Sequence, residues 1–205
     1  MRSDVIHVSS DGAGFDEALN QAEFVARFRD LPKKSALQLR LLTEEVMGMM
    51  RALTGEREAD FWIDDENPDD PADRLFRLHL TAETMMNGEM RKKLLSASTS
   101  GLNSAAVGFT GKLRDLFEQL IEPSDQNMAD DLKMGVYYAG ADYAVESVNS
   151  ADLWSLNAYR AEIGNGAGPK ADWDELEKSV VAKVADEVRI GITGQVVEMT
   201  IYKKY

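Results

Sequence analysis

The chain has 205 residues, 44% hydrophobic and 29% charged, enough for one sizeable core in an ordinary globular protein. Thirty-six acidic against 23 basic residues give a net charge of −13, which argues against nucleic acid and leaves proteins or small molecules as partners. With no cysteine there is no disulfide or thiolate metal site; two histidines, His7 and His79, exclude a histidine-rich one; and the lack of an apolar leader or spanning run implies a cytoplasmic protein.

In chain order, "DVIHVSS" predicts a strand that ends at the turn "SSDGAG". "FDEALNQAEFVARFRDL" predicts a helix with Phe15, Leu19, Ala22, Val25, Ala26 and Phe28 as its apolar stripe. Beyond Pro32, Leu39, Leu42, Val46, Met49, Met50 and Leu53 recur at steps of three and four, so a second helix follows. "ADFWIDDE" and "LFRLHLTAE" predict a strand pair joined by an acidic, proline-bearing loop. Phe76, Leu78 and Leu80 share one face; Arg77, His79 and Thr81 share the other, where His79 is expected at an exposed or edge position.

Helices are expected in "EMRKKLLSASTS" and "GKLRDLFEQLIE", while residues 124–168 follow no clear period. "DWDELEKSVVAKVADEV" predicts an amphipathic helix, and the last segment a strand, a glycine turn and a strand alternating Val197, Met199 and Ile201.

Strand, two helices, strand pair, variable middle, helix and strand pair: this order resembles the histidine-kinase-like (GHKL) ATPase fold, nearest its bacterial anti-sigma-factor serine-kinase branch. The likeness rests on "LPKKSALQLRLLTEEVMGMMRAL" and "LEKSVVAKVADEVRIGITGQVVEMTIYKK", roughly a quarter of the chain. It implies an α+β two-layer sandwich, with helices on one face of a mixed, mostly antiparallel sheet that includes the strands around Phe61, Leu78, Ile190 and Met199. It further implies a single domain over residues 1–205, with a divergent insertion at about 89–168.

The family's second helix carries a glutamate that activates water or the phosphoacceptor, and four residues on an asparagine that holds magnesium against the phosphates. Glu45 matches the glutamate, but Met49 stands at the asparagine position, and a thioether is a poor ligand for hard Mg²⁺. Shifting the register to Glu44 makes the partner Gly48, which has no side chain. The family's adenine-binding Asp-x-Gly-x-Gly is matched only by Glu83 and Gly88. Its phosphate turn is approached by Gly164, Gly166 and Gly168, which lie early and ahead of Asp172 and Asp174, whose charge repels phosphate.

Each of these residues also has a structural reading. Glu44 and Glu45 are a solvated pair with Arg40 and Arg51 at hand; Met47, Met49 and Met50 pack the core; the 164–168 glycines are a linker; Trp154, Tyr159 and Trp173 pack the middle segment. Two functions therefore stand. One is a degenerate ATPase-like domain that binds a regulatory protein partner without a cofactor, possible homodimer included. The other is a working anti-sigma serine-kinase-type protein that binds ATP or ADP with magnesium through Glu45, Glu83 and the 164–168 glycines.

Overall fold

Strands form where apolar and polar side chains alternate, because alternation lets one face enter a core while the other meets water. The computed structural model describes residues 1–53, 56–68, 70, 74–83, 109–121, 150–164, 179–193 and 195–205. Within them lie β1 (Ile6–Ser9), α1 (Phe15–Phe28), α2 (Lys33–Arg51), β2 (Glu58–Asp65), β3 (Leu75–Glu83), α3 (Phe109–Ile121), β4 (Ser150–Ser155), α4 (Leu156–Gly164), α5 (Val180–Val184), β5 (Glu187–Thr193) and β6 (Val196–Lys204).

The six strands form one sheet in the order β1-β2-β3-β6-β5-β4, every pairing antiparallel. Its register places Phe61 opposite Leu80, Leu80 opposite Met199, and Met199 opposite Ile190. This inner row, with Val8, Ile63, Leu78, Val188, Ile192, Val197 and Ile201, joins the buried residues of the helices in one core. The fold is thus α+β, and its sheet includes the four strands expected around Phe61, Leu78, Ile190 and Met199.

In α1, Phe15, Ala18, Ala22, Val25 and Ala26 are buried. Phe28, expected on that stripe, is instead exposed, because it lies about 100° of helical rotation from the stripe's centre. Its ring stacks on Phe24, with centroids 5.9 Å apart. The turn that feeds α1 depends on Gly14, which caps the helix in the left-handed conformation (φ 77°). A β-carbon there would lie 2.1 Å from the His7 carbonyl oxygen.

The closing helix stops sooner than its sequence predicts. α5 begins after Ser179, whose Oγ accepts the Ala182 N–H at 3.2 Å, and it ends at Val184. Ala185 is already extended and Glu187 opens β5, so "ADEV" belongs to the turn and strand. Arg160 of α4 caps this end: its guanidinium donates to the carbonyls of Ala182, Ala185 and Asp186, where the helix leaves carbonyls without intrahelical partners.

In the middle of the chain, α3 matches "GKLRDLFEQLIE", with Leu113, Leu116, Phe117, Leu120 and Ile121 buried. β4 and α4 emerge from the stretch without a clear period; Trp154 and Tyr159 are buried there, centroids 5.8 Å apart. The helix expected at 89–100, Gly88, Gly166, Gly168 and Trp173 lie outside the described residues. No helix among those described is long and apolar enough to cross a membrane.

Candidate functional site

α2 is helical because its apolar residues recur at steps of three and four with no proline or β-branched run inside it. The stripe drives Leu39, Leu42, Val46, Met47, Met49 and Met50 into the core, and Thr43 joins them by donating its hydroxyl to the Leu39 carbonyl at 3.0 Å. Rotation about the axis then decides the two glutamates. Glu44 is exposed, whereas Glu45 at the stripe's margin is half-buried. Burial raises the Glu45 pKa, and the neighbouring Glu44 charge adds to the rise.

The position one turn beyond Glu45 decides what this helix can hold. Met49 is 3% exposed and packs in the core; Gly48, the other register's partner, is exposed, with no atom within 4 Å of where a β-carbon would sit. A buried thioether and a bare glycine do not fit a magnesium ion bridging phosphates, since that ion takes oxygen ligands in octahedral array. The arginines expected to offset the glutamates are engaged elsewhere. Arg40 pairs with Glu23 of α1, and Arg51 lies over the Phe15 ring at 5.0 Å.

Glu83, at the exposed end of β3, lines a groove of about 540 Å³ along the β1–β2–β3 edge. The groove's other walls include Glu56, Glu58, Asp60, Arg57, His7 and, from α3, Ile121. Among the described residues of this groove, four carboxylates against one guanidinium and one imidazole disfavour a polyphosphate. Neither Glu45 nor Gly164 lines this groove, so the residues singled out from the sequence do not converge there. Gly164 ends α4, open to solvent, and a β-carbon on it would meet no atom within 4 Å.

The outer sheet face holds an arrangement that sequence reasoning missed. His79, expected to be exposed or edge-facing, is 7% exposed on β3, whose partners β2 and β6 flank it on both sides. Its ring stacks on Trp62, with centroids 4.7 Å apart and 5° between planes; the Arg2 guanidinium lies 4.9 Å from the centre of the Trp62 ring. His79 Nδ1 is 2.6 Å from Glu198 Oε1, and its Nε2 is 3.3 Å from Asp64 Oδ2. Asp64 accepts the Trp62 indole N–H at 3.1 Å and the Arg2 Nε and one terminal guanidinium nitrogen, each at 3.2 Å.

Glu198 further accepts the Thr200 hydroxyl at 3.2 Å. The His79 hydrogen bond is the main reason its carboxyl is held below the ordinary glutamate range, against the opposing effect of burial. Period-two alternation does place His79 on this face. The missing signal is Trp62, whose indole covers it from the neighbouring strand.

Comparison with protein-family models, with curated proteins and with solved structures finds no match.

Proposed function

We propose that this chain is a degenerate histidine-kinase-like ATPase domain that works as a regulatory protein-binding module, in the manner of an anti-sigma factor. The order of described elements supports the reading: strand, two helices, strand pair, and at the end a helix feeding an antiparallel hairpin. Fold order alone does not define an activity. The observation that carries the proposal is Met49, packed into the core one helical turn from Glu45, where such a site needs an oxygen ligand for magnesium. The acidic groove beside Glu83 adds a surface where a basic segment of a partner would meet opposite charge.

One observation favours the working enzyme. Glu45 is half-buried with a raised pKa, and a general base needs a pKa nearer neutrality than a solvated carboxylate has. Phosphate release from ATP separates the two readings. Losing one electrostatic partner of a transition state commonly lowers a rate by about 10²–10³. Purified wild type should therefore release no phosphate above background, and Met49→Asn alone should not restore release. Release that Glu45→Ala abolishes would replace the regulatory reading with the enzymatic one.

A further inference from the structure

Most of this protein's surface chemistry is acidic, but one end of the α1–α2 hairpin is not. From Phe24 to Arg40 the chain carries five basic residues and one acidic, whereas the rest carries 18 basic and 35 acidic. Three large apolar side chains stand out of the same segment: Phe24 is 57% exposed, Phe28 58% and Leu37 56%. Single exposed apolar residues need no explanation, but three within fourteen residues at one tip do.

The two rings are held in place. Phe28 stacks on Phe24 with 16° between planes, and the Arg29 guanidinium lies 5.4 Å from its ring centre. Arg29 is itself ion-paired with the buried Asp65, Nε lying 2.7 Å from Oδ2, and its carbonyl accepts a hydrogen bond from Arg74. The tight connection adds stiffness, with Asp30 in the left-handed conformation (φ 49°) and the Leu31 N–H bonded to the Ala26 carbonyl at 2.9 Å. Ordering this platform on binding therefore costs little entropy. Arg27, Lys33 and Lys34 are exposed around it.

We infer that this tip docks an acidic segment of a partner protein, one with apolar residues on one side to cover Phe24, Phe28 and Leu37 and carboxylates to meet Arg27, Lys33 and Lys34. Charge complementarity selects this occupant over the others. A second copy meeting tip to tip would set like charges against each other, and one meeting tip to acidic groove, whether as a reciprocal pair, a ring or an open chain, would show as self-association. An anionic bilayer would repel the remaining surface, and α1 already commits its continuous apolar stripe to the core. The inference stands on exposure and charge alone; it names a surface for the regulatory reading without depending on the nucleotide argument.

Fluorescence anisotropy tests it with two labelled amphipathic helical peptides, one with leucine and glutamate faces, the other with lysine in place of glutamate. The full chain should bind the glutamate peptide, more weakly as salt rises, and should not bind the lysine peptide. Phe24→Ala with Phe28→Ala, and separately Lys33→Glu with Lys34→Glu, should weaken that binding by at least about tenfold. Because all four side chains are exposed, circular dichroism and melting temperature should stay as in wild type.

Failure to bind the glutamate peptide, equal binding of both peptides, or binding unchanged in both variants would overturn the inference. So would phosphatidylserine-vesicle binding, or self-association in sedimentation velocity, that the double phenylalanine variant abolishes. Nucleotide turnover would sink the degenerate-site reading and leave the peptide result intact.

Discussion

His79 is held edge-on by Glu198 and Asp64 and face-on by Trp62, so the three carry one pH-dependent contribution to stability. Because the hydrogen bond from His79 lowers the Glu198 pKa, the ionised form favours the folded state. That contribution is fully present above the unfolded glutamate value, about 4.3, and is lost as pH falls through the lower folded value. The urea midpoint of wild type should exceed that of Glu198→Gln near pH 6, and the gap should close in more acidic solution. A gap that stays constant from pH 6 down to about 3 would locate the effect elsewhere.

The same residue marks what alternation along a strand conveys. Alternation says which face a side chain joins. It does not say whether that face is roofed by a neighbouring strand's aromatic ring, because Trp62 and His79 meet only through the β2–β3 register.

Among the elements, α2 is the one whose sequence pattern and structure agree most closely, since a stripe repeated over five turns is a local property. Leu42 is fully buried in it. Leu42→Ala should cost about 2–5 kcal/mol in chemical denaturation, and a loss under about 0.5 kcal/mol would contradict the packing described. The turn before α1 gives a second test. Gly14→Ala puts a methyl group against the His7 carbonyl at a positive φ, so it should destabilise by more than the ~1 kcal/mol that a strain-free glycine-to-alanine change can add to stability. A stabilised variant would mean the turn can relax.

Element ends are harder to read. The apolar period of "SVVAKVADEV" continues past Val184, yet the helix ends there, and its end is capped by Arg160, more than twenty residues earlier in the chain. Phe28 departs from its expected place for a related reason: a residue at a stripe's margin is buried only if something packs beside it.

At the scale of the whole molecule, the six described strands, all antiparallel, present one apolar face to the helices and hold polar and aromatic side chains on the other. Hydrophobic patterning is enough to place the four central strands, because each alternates cleanly and each pair is joined by a short connection. It is not enough to assemble a site. Glu45, Glu83 and Gly164 belong to different elements, and only a three-dimensional arrangement shows that the groove at Glu83 excludes the other two.

The regulatory reading requires that no nucleotide find a home here. Thermal unfolding of the wild-type protein with ATP, ADP and magnesium, each present and absent, measures that directly. A ligand at a hundred times its dissociation constant stabilises by about 2.7 kcal/mol, a clear shift of the transition. The expected result is a melting temperature unchanged by either nucleotide, with or without the metal; a saturable, magnesium-dependent rise would contradict it.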